Sequence, residues 1–245
     1  MPRVVIPPDA VDGQQIHLRD PGDVHHLAHV LRVRIGQGVQ CLDGIGGVYE
    51  GIVSHLMRDE VTIRIEARHA EPPMRLEMTL AQALIKPERF EWVIQKATEL
   101  GVRRVIPLLT TRTVGRVTHS AVESKQARWQ RIAREAAKQC GRAHELSVER
   151  PCALAAWLPR LADYEYVAMP TLAVTGTPLR DDARRVAAAR SAAVLIGPEG
   201  DFTAQEGEAA MRLGARPLSL GHVTLRSETA ALVTIAILQH LAEAG

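Results

Sequence analysis

Two stretches of this 245-residue chain combine residue types that suit ligand chemistry. LIGPEGDFTAQE, residues 195–206, sets an apolar run against a glycine-proline-acid-glycine turn and then a helix start. LSLGHVTLRSETAAL, residues 218–232, passes from a short strand through Gly221 and a polar loop into the last helix. Gly197 and Gly200 carry no Cβ, so a ligand can approach the backbone of the first turn closely. Arg226 and Glu228 stand at the entrance of the final helix, where a mutual surface ion pair is the simplest expectation. Turns of this kind bind ligands when they lie where strand C-termini meet helix N-termini in an open α/β sheet.

The elements around the turns predict that placement. AAVLIG is a buried strand, and Thr203 with Glu206 spells a capping box for the helix that follows. LEMTLAQALI, VRRVIPLL and EYVAMP are further strands. PERFEWVIQKATELG is a helix from Pro87 to Gly101, and a long helix is expected over residues 120–140. Alternating strands and helices, with apolar strands, imply a parallel sheet covered on both faces, hence an α/β domain. The last helix carries Ala230, Leu232, Val233, Ile235, Ala236 and Leu238, too much of its circumference for a surface helix, and calls for a core or a second subunit.

The first segment reads differently. DPGDVHHLAHVLRV is a short helix with Asp20 as N-cap and Pro21 at the first helical position. GVQCLDG, GVYEGIVSHLM and EVTIRIEA are strands between glycine-rich turns, which suggests a small antiparallel barrel or sandwich. DGIGGVYEG is a hairpin turn rather than a nucleotide loop, because its spacing is not GxGxxG and a strand follows it. Paired prolines in ARHAEPPMR mark a junction, giving domains over residues 1–72 and 73–245.

Composition adds limits. The net charge of +2 divides into −3 over residues 1–72 and +5 over residues 73–245, and 26 of the 30 cations are arginine, a side chain suited to phosphate. A nucleic-acid partner is permitted by this balance. Cys41, Cys140 and Cys152 form no CxxC pair and are expected as buried thiols rather than a disulfide framework. His25, His26 and His29 have no carboxylate or cysteine at ligand spacing, so no metal site is expected. No apolar run approaches the roughly 20 residues of a membrane span and no signal peptide is evident, which implies a cytoplasmic location and no membrane partner.

The two turns, together with HHLAHVLRVRIGQGVQCLDG, IKPERFEWVIQKATELGVRRVIPLLTTRT and REAAKQCGR, resemble in order and over nearly the whole chain the bacterial RsmE family, 16S rRNA uridine-N3 methyltransferases of the SPOUT class. The resemblance implies an N-terminal PUA-like β-barrel that binds RNA and a C-terminal SPOUT α/β domain tied into a deep trefoil knot. Knots are nearly absent from other folds and no periodicity reveals one. It further implies a homodimer and an S-adenosylmethionine site. By motif, the cofactor contacts fall on Gly197, Pro198, Glu199 and Gly200, on Leu220, Gly221, Leu225, Arg226, Thr229 and Ala230, and on Met169 and Pro170. The chain departs from the family at Val223 and Thr224, where an arginine followed by an aliphatic residue is usual, and at His29, where an arginine is common.

The chemistry so implied is transfer of a sulfonium methyl to N3 of an unstacked uracil. The N3 proton must leave, and charge spreads onto O2 and O4, where Arg226 is placed to stabilise it. Glu199 and Glu228 are the candidate bases. Arg3, Arg32, Arg34, Lys86, Arg89 and Arg142 are the cations expected to engage 16S rRNA within the small ribosomal subunit. With eight aromatics in the chain, stacking is not the main mode of capture. Two other readings fit the same residues: a SPOUT enzyme acting on a ribose 2'-oxygen of tRNA or rRNA, and a non-catalytic RNA-binding protein.

Overall fold

The computed structural model describes residues 1–113, 119–172 and 176–243. The chain forms two compact units, one of Met1–Pro73 with Arg134–Glu145 and one of Met74–Ala133 with Leu146–Gly245.

In the first unit the strands are β1 (Arg3–Val5), β2 (Val11–Asp12), β3 (Gln15–Leu18), β4 (Gly38–Leu42), β5 (Gly47–Leu56) and β6 (Val61–Ala70). They form one sheet in the order β1-β4-β5-β6-β3-β2, antiparallel except for the β1–β4 pair. Register shifts at Glu50/Gly51 and Val53/His55 bend the long β5–β6 hairpin, as wrapping a sheet around a core requires. That core includes Val4, Ile16, Leu18, Leu27, Val39, Val53 and Ile63. Helix α1 (Pro21–His25) starts as its sequence predicts, with the Asp20 carboxylate accepting from Gly22 N and Asp23 N. The glycine-rich DGIGG segment is a hairpin turn: Asp43 Oδ1 accepts from Ile45 N at 2.9 Å and Gly47 N at 2.7 Å. Cysteine placement differs from expectation. Cys41 is buried, and burial pushes its thiol up to about 12, but Cys152 is half-buried and Cys140 is exposed. Cys140 is the last residue of its helix, away from any core-facing strand, and its thiol donates to the Ala137 carbonyl at 3.7 Å.

The second unit contains β7 (Glu77–Ala83), β8 (Arg104–Leu109), β9 (Ser147–Val148), β10 (Cys152–Ala153), β11 (Tyr166–Pro170), β12 (Thr177–Pro178), β13 (Ser191–Ile196) and β14 (Arg216–Ser219). Their order is β10-β8-β7-β13-β11-β14-β12, with β9 beside β8, and every pairing is parallel. Helices α2 (Pro87–Glu99), α3 (His119–Cys140), α4 (Leu154–Trp157), α5 (Ala183–Ala188), α6 (Ala204–Arg212) and α7 (Ser227–Glu243) accompany them. Strand alternation sends the two sets of side chains into separate cores. Met78, Leu80, Ala192, Val194 and Ile196 pack with Phe90, Val93 and Ile94 of α2 and Ala231, Ile235 and Leu238 of α7. Ala81, Ala193, Leu195, Val167 and Met169 pack on the other face with Trp157, Phe202 and Ala210. The sheet is therefore covered on both faces, the α/β architecture that the near-continuous apolar strands predict.

One polar network locks β11, β14 and the segment before α5. Asp182, 3% exposed, accepts two hydrogen bonds from Arg216, at 2.6 and 2.8 Å, and one from the Tyr166 hydroxyl at 3.0 Å. Burial works to raise the Asp182 carboxyl, but these donors hold it below the ordinary carboxylate range. Burial, with Asp182 beside it, pushes the Tyr166 hydroxyl up. A carboxyl depressed by folding adds stability that is complete above the unfolded value of about 3.9 and is lost as pH falls through the folded value. Removing the cation reverses the sign. Arg216→Leu is expected to cost about 2 kcal/mol at pH 7, less than a fully buried pair because Arg216 is one-third exposed. The deficit should shrink between pH 7 and pH 4, as a carboxyl that burial now raises takes up a proton. Urea denaturation across that range measures it, and a deficit that grows on acidification contradicts the assignment.

Candidate cofactor cavity

Strand β11 lies between β13 and β14, and all three run parallel, so their C-terminal ends share one edge of the sheet. Residues 197–203 leave that edge after β13, residues 171–172 after β11, and residues 220–226 after β14. Between them lies a cavity of about 230 Å³. It is the position where open parallel sheets hold ligands.

Each loop has a local cause. Thr203 caps α6: its hydroxyl accepts from Glu206 N at 3.2 Å, and Glu206 Oε2 accepts from Thr203 N at 2.9 Å, the capping box read from the sequence. Glu206 Oε1 also accepts from Thr111 N at 2.8 Å and from the Thr111 hydroxyl at 3.0 Å. Burial would raise Glu206, but these donors hold its carboxyl below the usual range. Gly197 must lack a side chain, because a Cβ there would stand 2.9 Å from Asp201 Oδ1 and 3.1 Å from Phe202 N. Gly221 adopts φ +121°, a conformation that only glycine takes without strain.

A hydroxyl joins the two sequence-distant turns. Ser227, the first residue of α7, donates to the Gly197 carbonyl at 2.6 Å and accepts from Gln82 Nε2 at 2.9 Å, and Gln82 Nε2 also donates to the Ala83 carbonyl at 3.0 Å. Gln82 is fully buried at the end of β7. The 197–203 turn, the final helix and a central strand thus meet at one side chain.

The cavity gathers Gly197, Pro198, Glu199, Leu220, Gly221, Leu225, Arg226, Ala230 and Pro170 from the sequence-derived set. Met169 points into the core behind β11, and Gly200 and Thr229 do not line the cavity. Residues that sequence reasoning missed also line it: Thr171, Leu172, Ile196, Asp201, Leu218, Ser219, Ser227, and Val223 and Thr224 at the departing positions. Arg112 was missed as well. Its Nη1 donates to the Gly200 carbonyl and, at 3.3 Å, to the Phe202 carbonyl. The one available signal was its place in the TTRT segment directly after a strand.

The charged groups depart from the expected pairing. Glu228 does not pair with Arg226. Its Oε1 lies 3.6 Å from Arg89 Nε, and Arg89 Nη1 lies 3.8 Å from Glu199 Oε1, so one guanidinium from the first turn of α2 stands between two carboxylates. Glu228 is 8% exposed, and its Oε2 has no hydrogen-bond partner among the described residues. The Arg226 side chain is exposed and makes no ion pair among the described residues. Arg89, three residues into α2, reaches Glu228 first, which explains the difference.

Of the other cations, Lys86 is exposed at the N-cap of α2. Arg32 and Arg34 are exposed, and Arg3 is exposed with hydrogen bonds to Gln40 Oε1 at 2.9 Å and the Gln139 carbonyl at 3.2 Å. Arg142 is not a solvated surface charge: it is 9% exposed with Nε 3.5 Å from Glu71.

Comparison with known proteins agrees with this geometry. A family model described as an RNA methyltransferase domain matches residues 72–239, and one described as an RNA methyltransferase PUA domain matches residues 18–66. The chain is 32% identical over 242 residues to ribosomal RNA small subunit methyltransferase E of Synechocystis, covering 98% of this chain and 78% of that protein. It is 28% identical to the protein of that name from Bacillus subtilis, over 90% of this chain and 88% of the other. The crystal structure of ribosomal RNA small subunit methyltransferase E from Neisseria gonorrhoeae, bound to S-adenosyl methionine, superposes with a TM-score of 0.87 at 28% identity, over 98% of both chains.

The Ser227 contact carries a prediction. Ser227→Ala leaves the Gly197 carbonyl and the Gln82 amide without this partner, at about 1–3 kcal/mol for each unsatisfied buried group. Chemical denaturation should therefore show a loss of about 2 kcal/mol or more. A loss below about 0.5 kcal/mol would mean the hydroxyl does not hold the turns together.

Proposed function

Because this chain belongs to the RNA methyltransferase family whose curated members are named ribosomal RNA small subunit methyltransferase E, we propose that it methylates N3 of a uridine in 16S rRNA. It is an S-adenosylmethionine-dependent rRNA methyltransferase. The observation that carries the site assignment is the cavity itself, built at the C-terminal edge of a parallel sheet from turns that Ser227 ties together.

The residues present suit the cofactor. Adenine has apolar faces and a hydrogen-bonding rim, and the cavity offers Ile196, Leu218, Leu220 and Leu225 beside the open backbone of glycine-containing turns. When bound, S-adenosylmethionine supplies an electrophilic methyl on a sulfonium, and the work left to the chain is alignment, worth roughly 7–11 kcal/mol when good. Arg226, exposed on the cavity wall and free of carboxylate partners among the described residues, donates to the uracil oxygens as N3 loses its proton. Glu199 lines the cavity and is the nearer base for that proton, while Glu228, outside the lining, keeps one oxygen unpartnered among the described residues and is the second candidate.

The finer readings rest on the family pattern. Residues 1–72 act as the RNA-binding module and residues 73–245 as the transferase, with the trefoil threading part of the same reading. Arg3, Arg32, Arg34 and Lys86 engage phosphates, while Arg89 and Arg142 act through the carboxylates they face. The acceptor lies within the small ribosomal subunit, and the protein works in the cytoplasm. No helix among the described residues is long and apolar enough to cross a membrane. A second copy covers the far side of α7, where Leu232 and Val233 are half-buried and Ala236 is exposed.

Mass spectrometry of rRNA nucleosides from cells lacking the gene, before and after its restoration, tests the reaction. Loss and recovery of N3-methyluridine is expected, and a 2'-O-methyl nucleoside instead would replace the base by the ribose as acceptor. Arg226→Ala should lower kcat by about 10²-fold or more, as removal of one oxyanion donor does, with calorimetric affinity for S-adenosylmethionine changed far less. Full turnover in that variant removes Arg226 from the mechanism.

A further inference from the structure

Asp201 stands apart in the 197–203 turn by its backbone conformation. Its φ is +60°, in the left-handed region that side-chain-bearing residues avoid. The backbone is held there by Asp201 N donating to the Pro198 carbonyl at 2.9 Å. The carboxylate then takes three donors from two loops. Oδ2 accepts from the Thr171 hydroxyl and from Leu172 N, both at 2.8 Å, and Oδ1 accepts from Phe202 N at 2.8 Å.

The two bonds to Oδ2 join two loops that border the cavity. Thr171, Leu172 and Asp201 all line it, the first two from the loop after β11 and the third from the loop after β13. Leu172 has little else to fix it among the described residues, since it is 68% exposed and outside the hydrophobic clusters. Hydrogen bonds to an ionised carboxylate are roughly twice as strong as neutral ones, so Asp201 is the dominant tie between these walls.

We propose that Asp201 is a positioning residue for the methyl donor: its carboxylate clasps Thr171 and Leu172 to the 197–203 turn, forming one wall of the cofactor cavity before the cofactor arrives. The clasp rests on the reading of that cavity as the S-adenosylmethionine site. A wall already ordered spares the ligand the cost of ordering it on binding, so the clasp acts on affinity rather than on the chemical step.

The test is calorimetry of S-adenosylmethionine on the full chain, with kcat read at saturating cofactor and thermal melting read without it. Asp201→Gly accepts the same φ without strain and removes all three contacts. It is expected to raise Kd about tenfold, or 1.4 kcal/mol, to keep kcat within about threefold, and to keep the fold by cofactor-free melting. Thr171→Val removes a single donor and provides a milder probe should Asp201→Gly fold poorly. It should raise Kd about threefold in the wild-type background and leave it unchanged in Asp201→Gly, because coupled residues do not add. A Kd within twofold of wild type in a folded Asp201→Gly protein, or additive effects of the two substitutions, overturns the clasp. A wild-type chain that gives no heat with S-adenosylmethionine overturns the cofactor reading instead.

Discussion

The Ser227 hydroxyl spends its one proton on the Gly197 carbonyl at 2.6 Å and takes a hydrogen bond from Gln82 at 2.9 Å, with all three groups buried. In that dry setting the bonds have no water to compete with, and losing any partner leaves an orphan. The arrangement ties the last residue but one of β7, the turn after β13 and the first residue of α7. A cavity bounded by loops needs its loops held to less than the size of a ligand atom, and this hydroxyl supplies the restraint at the base. Gln82 Oε1 stays buried and unpartnered among the described residues, so the contact is kept despite a penalty.

Around that base, the 197–203 turn and the start of α6 are tied to other parts of the chain. Arg112 takes the outward carbonyls of Gly200 and Phe202, Glu206 gathers the Thr111 backbone and hydroxyl, and Asp201 reaches Thr171 and Leu172. Almost all of these use a charged group to satisfy backbone atoms that no strand or helix can reach. The loops thereby gain the definition of regular structure while keeping their apolar side chains, Leu220 and Leu225 among them, for a ligand.

Electrostatics divides the cations near the site into two kinds. Arg89 is committed to Glu228 and Glu199, a structural bridge between the entrance of α7 and the 197–203 turn. Arg226, two residues before Glu228, lacks such a partner among the described residues and keeps its donors for whatever enters. A guanidinium already neutralised by two carboxylates is a poor stabiliser of new negative charge, and an unpaired one is a good one.

Most of the longer elements of the second unit, and their type, are legible along the chain. The Thr203–Glu206 box, the Asp20 cap, Pro87 at the head of α2 and the apolar strands β11 and β13 are all local patterns, and local patterns act through neighbours within a turn or two. Both turns that border the cavity are also legible there, because glycine frees and proline restricts the backbone wherever the rest of the chain lies. Which distant groups meet is settled only when the chain has folded. Arg89 displaced Arg226 as the partner of Glu228, Arg142 went under cover beside Glu71, Cys140 came to the surface, and Asp201, Arg112 and Ser227 emerged as the ties of the cavity. Ser227 and Gln82 stand 145 residues apart along the chain. No periodicity encodes such a meeting, since it follows from strand order and register, and these are settled by the packing of both faces of the sheet at once.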